Sequence, residues 1–96
     1  MKVVYLGQAL RDMAWVRQYY RMVFPAGRSN AREQLRKAES LIAKNPFMGH
    51  SSEEIAGARE LYIPRTPFSL IYQVTNERIE VLRVIDNRSN WGSSEE

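Results

Sequence analysis

The chain has no cysteine and a single histidine, His50. Without cysteine there is no disulfide framework and no thiolate metal site, a usage that suits a reducing cytoplasm. One histidine excludes a multi-histidine metal centre within one chain, so a metal would need carboxylates. Nothing in the sequence calls for a metal or a cofactor. No stretch approaches the ~20 apolar residues of a membrane-spanning helix. The opening Met1-Lys2-Val3-Val4-Tyr5-Leu6 is too short for the apolar region of a signal peptide. There is no internal repeat, low-complexity tract or interdomain linker. What remains is 96 residues, 44% hydrophobic and 26% charged, enough for one globular domain and no second core.

The net charge of +3 is unevenly spread. Residues 11–44 hold eight basic and three acidic side chains, whereas residues 45–96 hold five basic and eight acidic ones. A basic stretch of this kind favours an acidic partner, protein or nucleic acid, although a solvated helix surface explains charge alone as well.

Hydrophobic period organises the chain. Lys2 to Leu6 is β-branched and aromatic and ends at Gly7, as a strand does. From Ala9 the step changes: Ala9, Met13, Val16, Tyr20 and Val23 form one stripe of a helix that Pro25 and Gly27 terminate. Asn30 and Glu33 have the spacing of a capping box for a second helix, with Ala31, Leu35, Ala38 and Ile42 as its stripe. Asn45-Pro46 stops it. Phe47 to Gly57 reads as a loop. Strand-like runs follow at Arg59–Ile63, Phe68–Val74 and Ile79–Asp86, with Thr75–Arg78 as a polar hairpin link. The last run is apolar on both alternating faces, as an interior strand is. The order β-α-α-β-β-β predicts an α+β fold, a helical hairpin packed on one face of a mainly antiparallel sheet. The domain is expected over residues 1–91, with 92–96 as a loose tail.

Several residue groups invite a functional reading. His50 beside Ser51, Ser52, Glu53 and Glu54 has the residue types of hydrolytic chemistry. Neighbours in a polar loop rarely reach nucleophile–base–orienter geometry, and loop polarity explains them better. Arg28, Arg32 and Arg36 line one side of the second helix, with Glu33–Lys37 as a compensating pair. Arg59 and Arg83 interrupt apolar strand patterns. Arg83 shares a face with Val81 and Ile85, so its guanidinium needs a partner, for which Glu60 and Asp86 are available. Alternatively Arg59 and Arg83, joined by Arg65 and Arg88, present cations on the sheet face that lacks helices. Trp15 lies off the first helix's stripe, where an exposed aromatic would anchor a partner. Trp91 is a clamp across the core or a second contact residue.

Taken in order, Ala9-Leu10-Arg11-Asp12-Met13 with Val16 and Tyr19, Asn45-Pro46-Phe47-Met48-Gly49, Arg59-Glu60-Leu61, Leu70-Ile71-Tyr72-Gln73-Val74, Ile79 to Ile85 and Arg88 resemble the RelE/ParE superfamily of type II toxin–antitoxin toxins, often labelled plasmid stabilisation proteins. The resemblance runs from Val3 to Trp91. It implies a cytoplasmic toxin, held inactive in a hetero-oligomer with a ParD-like antitoxin, with no membrane association.

RelE-like members cut mRNA in the ribosome, and ParE-like members poison DNA gyrase. Metal-free RNA cleavage needs a base, phosphate-binding cations and an acid. Aligned on Leu70–Val74, the lysine positions of the RNA-cutting branch become Glu60 and Tyr62, its arginine position becomes Ser69, and a position often held by histidine becomes Asp86. Only Arg88 matches. A carboxylate where phosphate must sit is repulsive by about 1–4 kcal/mol. The resemblance therefore points to the ParE-like side, a gyrase inhibitor that binds rather than catalyses. Its expected contact residues for target or antitoxin are Arg59, Arg65, Arg83, Arg88, Trp15 and Trp91. In the alternative, a ribosome-dependent endonuclease, Arg65 and Arg88 would hold phosphate while Tyr62 or Asp86 moved protons. A non-toxic binding module keeping the fold is the third reading.

Overall fold

The computed structural model describes residues 1–88. Trp91 and the expected tail at 92–96 lie outside the described residues. The β-branched run after Met1 forms strand β1 (Lys2–Tyr5), and helix α1 (Gly7–Met22) follows at once. α1 starts two residues before the expected Ala9, because extended Leu6 already accepts a hydrogen bond from the Leu10 amide at 2.9 Å. Pro25–Gly27 makes a single 3-10 turn into helix α2 (Arg28–Lys44). The expected capping box does not form. α2 begins at Arg28 with no side-chain cap, and Asn30 instead donates from Nδ2 to the Arg65 carbonyl at 3.3 Å. Val23, expected on the apolar stripe, lies beyond the last turn of α1 and is exposed.

The loop expected over Phe47–Gly57 contains a short strand, β2 (His50–Ser51), that alternation could not reveal because both residues are polar and exposed. Then come β3 (Arg59–Tyr62), β4 (Phe68–Val74) and β5 (Arg78–Asp86). The sheet order is β1-β5-β4-β3-β2. β1 runs parallel to β5, from Lys2 opposite Arg78 to Tyr5 opposite Val81, and every other pair is antiparallel.

The core lies between the helices and one sheet face. Ala9 and Tyr20 of α1 and Ala38 and Ile42 of α2 bury against Phe68, Leu70, Tyr72, Ile79, Val81 and Val84. Tyr5 ties β1 to α2 by donating its hydroxyl to the Glu39 carboxylate. Burial, and then that carboxylate, push the Tyr5 phenol above its ordinary value. The expected alternation along β5 is corrected by an irregularity. Ile71 pairs with Arg83 while its neighbour Tyr72 pairs with Val81, leaving Leu82 as an extra residue. The core face of β5 therefore reads Ile79, Val81, Val84. Ile85 and Arg83 fall out of phase with Val81, contrary to the regular two-residue count.

Candidate functional site

A groove of about 550 Å³ runs between the two helices and the sheet. Its floor is apolar: Met13, Val16 and Tyr20 from α1, Ala31 and Leu35 from α2, and Ile63, Phe68 and Val84 from the sheet side. Its rim carries Arg17 and Arg21 on α1 and Arg28 and Arg32 on α2. No Asp or Glu lines it. All four arginines are exposed, and among the described residues none makes an ion pair or a side-chain hydrogen bond. Two arginines four residues apart on each helix repel by a few tenths of a kcal/mol. Glu33–Lys37 does pair, at 3.7 Å, on an adjoining exposed surface of α2 that shares Arg32 with the groove and also carries Arg36.

Beside the groove is an aromatic cluster. Trp15, 53% exposed, stacks on Tyr19 with centroids 5.8 Å apart and meets Phe68 edge-on at 6.0 Å. Tyr19 also carries the Arg88 guanidinium 4.9 Å from its ring centre, and its hydroxyl accepts from Arg88 at 3.0 Å. Arg88 donates to both Asp86 oxygens, at 2.9 and 3.0 Å. These contacts, Asp86 first and the Tyr19 hydroxyl second, hold the Arg88 guanidinium above its ordinary pKa. Trp15 and Arg88, unrelated in sequence, are thus brought to one patch.

Other expected site residues are dispersed. Arg59 donates to the carbonyls of Phe47 at 3.1 Å and Gly49 at 2.8 Å and lies over the Phe47 ring, so it fixes the loop after α2. Arg83 pairs with neither Glu60 nor Asp86. It donates to Asp12 of α1 at 2.8 and 3.2 Å, and Asp12 also accepts the Val84 amide at 2.9 Å. Residue 83 is opposite Ile71 on the sheet face away from the core, and the β1 ladder ends at Val81. The edge of β5 beyond that point is therefore open to the Asp12 carboxylate. Arg59 and Arg83 consequently do not form the shared cationic face that the sequence allows.

The register gathers three of the positions that bear on RNA cleavage, Glu60, Tyr62 and Ser69, whereas Asp86 stands opposite Phe68 in the alternate phase of the ladder. Glu60 faces Ile71, which faces Arg83, and in the next row Tyr62 faces Ser69, which faces Ile85. Ser69 is buried and accepts from Asn87 Nδ2 at 3.0 Å. This face thus carries a carboxylate, a phenol and a hydroxyl, with one guanidinium already held by Asp12. His50 is exposed, with Nδ1 2.9 Å from the Ser51 carbonyl and no side-chain hydrogen bond to Ser52, Glu53 or Glu54. Among the described residues, no three His, Asp or Glu side chains stand where they could hold a metal ion. No helix there is long and apolar enough to cross a membrane.

Arg65 sits in the turn from Ile63 to Thr66 with φ of +64°, in the left-handed region that costs a side-chain-bearing residue about 1–2 kcal/mol. The turn is closed by Thr66 N–H to the Ile63 carbonyl at 3.2 Å and by Thr66 Oγ1, which donates to the same carbonyl at 2.8 Å. Arg65→Gly is expected to leave stability unchanged or raise it by up to about 1 kcal/mol, since relief of strain exceeds the entropy glycine adds to the unfolded chain. Arg65→Val should lower it by about 1–2 kcal/mol. Urea unfolding midpoints of the two variants check the contrast, and a drop for the glycine variant would contradict it.

The residues that sequence reasoning missed are Arg17 and Arg21. Their signal was available: two arginines at helical spacing beside the stripe Met13–Val16–Tyr20, facing the Arg28–Arg32 row across the hairpin.

A helical hairpin over a five-stranded mixed sheet, with a cation-rimmed apolar groove between them, defines a small α+β domain. Over residues 3–91 the sequence matches the family model described as the ParE toxin of the type II toxin–antitoxin system parDE, and the chain belongs to that family. A comparison with curated proteins returns no match. Among solved structures, a chain of the chromosomal ParDE TA system from P. aeruginosa is similar at 24% identity and a TM-score of 0.70, covering 90% of this chain and 95% of that one. The YoeB/ParE toxin from Agrobacterium tumefaciens is similar at 19% identity and a TM-score of 0.60, covering 88% and 95%. At those identities the likeness concerns the fold, which agrees with the order and layering expected from the sequence.

Proposed function

We propose that this ParE-family toxin acts in the cytoplasm by binding DNA gyrase, and that a ParD-like antitoxin neutralises it by seating a segment in the groove between the helices and the sheet. The observation that carries this reading is the groove itself: an apolar floor whose half-buried Met13, Val16, Ala31 and Leu35 still meet solvent, rimmed by guanidiniums that have no partner among the described residues. An uncovered floor of this kind gains from burial at roughly 25 cal/mol per Å². Action by binding rather than RNA cleavage is supported by Glu60, Tyr62 and Ser69 standing where cleavage would need cations. The toxin domain spans residues 1–91, and the Trp15–Tyr19–Arg88 patch is its contact with the target, an exposed aromatic beside a fixed cation.

Purified chain is expected to inhibit gyrase supercoiling of relaxed plasmid, to leave mRNA on stalled ribosomes intact, and to lose its effect when premixed with a ParD-type antitoxin. Trp15→Ala should weaken gyrase inhibition at least tenfold without weakening antitoxin binding to the same degree. Intact supercoiling together with mRNA cuts that vanish in Arg88→Ala would replace this reading with the ribosome-dependent endonuclease. Silence in both assays, with no growth defect on induction, would leave the non-toxic binding module.

A further inference from the structure

Trp15 is held as a plate with one open face. Tyr19 lies against it at 5.8 Å and nearly parallel, with 16° between the planes. Phe68 is 6.0 Å from both rings, so it stands beside the stack rather than over the second face of Trp15. That second face meets solvent, which is why the residue is exposed despite two aromatic neighbours. We infer that it is a platform for an unpaired nucleobase, and that a DNA strand crosses α1 there with a backbone phosphate on Arg11. This rests on the Trp15 patch being the target contact and specifies what the patch takes: the DNA on which gyrase works, rather than the protein surface of the enzyme.

Three observations favour a base over an apolar protein pocket. First, the platform is fixed before anything binds. Tyr19, beneath Trp15, is itself pinned by Arg88, which lies 4.9 Å from its ring centre and donates to its hydroxyl. Every base has a π face to lay on such a plate, so stacking tolerates any sequence. Second, the surroundings are polar. About one helical turn to either side of Trp15, on the same face of α1, stand Arg11 and Gln18, both exposed. A protein pocket closing on Trp15 would bury that guanidinium and that amide. A strand gives the first a phosphate and the second a base edge. Third, the unspent charge is of one sign. Asp12 is taken by Arg83 and the Val84 amide, and Asp86 is held by Arg88. Between Asp12 and Glu33 the chain has no acidic residue. Arg11 makes no ion pair or side-chain hydrogen bond among the described residues.

The probes are a thymine strand of about 12 nucleotides and a strand of equal length and charge whose central nucleotides are abasic. The chain has two tryptophans, so the full-length Trp91→Phe variant leaves Trp15 as the only one and its emission reports the platform. The thymine strand is expected to quench that emission. In fluorescence anisotropy it should bind roughly fivefold to a hundredfold more tightly than the abasic strand, as stacking of one base allows. Trp15→Ala should erase the difference between the strands, whereas Trp15→Phe should keep most of it. Arg11→Gln should weaken both strands alike and reduce the slope of log affinity against log salt by about 0.7, the share of one phosphate on a single strand.

Equal binding of the two strands, or binding that leaves Trp15 emission unchanged, would overturn the platform, and gyrase inhibition would still stand or fall on the supercoiling assay. Binding of the chain to gyrase without DNA that is lost in Trp15→Ala would give the ring to a protein pocket and overturn it equally. Preference for the thymine strand with supercoiling intact would keep the platform and remove gyrase as the target.

Discussion

Tyr72→Ala is expected to lower the unfolding free energy by about 3–5 kcal/mol, a large share of the ~5–15 kcal/mol available to a domain of this size. Tyr72 is fully buried in β4, a strand flanked on both sides. Its ring fills the core and its hydroxyl does separate work. It donates to the Pro46 carbonyl at 2.8 Å and accepts from the Gly49 amide at 3.0 Å, which closes the chain reversal between α2 and β2. Tyr72→Phe keeps the ring and removes the hydroxyl, so it isolates the two hydrogen bonds. It should cost about 1–3 kcal/mol, because the buried Gly49 amide then has no acceptor. Gly49 is bound to the same arrangement: a Cβ there would stand 2.8 Å from the Tyr72 hydroxyl and 2.9 Å from the Glu60 carbonyl. The hydroxyl could retreat only by giving up its bonds, and the backbone carbonyl cannot retreat. Gly49→Ala should therefore destabilise to a degree similar to Tyr72→Phe. Guanidinium unfolding of the three variants tests the order, and a phenylalanine variant as stable as the original would show the hydroxyl to be dispensable.

Asp12→Ala should cost about 2–3 kcal/mol, as expected for charge-assisted hydrogen bonds lost from a mostly covered carboxylate. Three groups would lose their acceptor together: the Arg83 guanidinium, the Val84 amide and the Gln8 side-chain amide. Arg83 is partly exposed and can recover water, which keeps the loss below that of a sealed ion pair. Asp12→Asn should recover part of it through the remaining side-chain oxygen. The same carboxylate makes stability depend on pH. Burial by itself would raise its pKa, but the hydrogen bonds from Arg83, Val84 and Gln8 outweigh burial and hold it below the ordinary value. The folded chain thus binds this proton less readily than the unfolded chain, whose carboxyl titrates near 3.9. The contribution is complete above about pH 4 and is lost as pH falls through the folded-state pKa. Unfolding midpoints between about pH 2 and pH 6 should decline toward acid in the original chain and less steeply in Asp12→Asn. Parallel declines would place the acid sensitivity elsewhere.

The parts of the fold legible in the sequence are those written as period. The stripes of α1 and α2 carry the helical layer, because burial on one side imposes the repeat, while β4, buried at every position from Phe68 to Tyr72, is legible as an apolar run between turn residues. Three features were illegible for identifiable reasons. β2 is two exposed polar residues, and its strand geometry comes from β3 beside it rather than from its own side chains. The shift at Leu82 inserts one residue into β5, and an apolar residue at every second position looks the same until the partner strand is known. Asn30 has a cap's composition, but the turn at Arg65 takes its amide. Legibility in the site divides in the same way. Trp15 and Arg88 could be named singly, but only tertiary structure puts both on Tyr19. Arg83 was recognisable as a cation in need of a partner, yet Asp12 lies 71 residues away in the chain. The groove's cations were visible on α2 and overlooked on α1, because a row of charges on one helix resembles any solvated face until a second row stands opposite.

The parallel pairing of β1 with β5 has a temporal meaning. Lys2 meets Arg78 and Tyr5 meets Val81, so the first strand made at the ribosome waits for the last one before it has a neighbour. Such long-range closure is slow and comes late. The floor of the groove includes Val84, so it too is incomplete until nearly all of the described chain has emerged. A chain terminated before β5 leaves β1 unmatched and the groove unfinished. The Trp15–Tyr19–Arg88 patch proposed as the target contact closes later still, at Arg88, so on that reading a prematurely ended copy lacks the contact that would arm it as well as the groove that would restrain it.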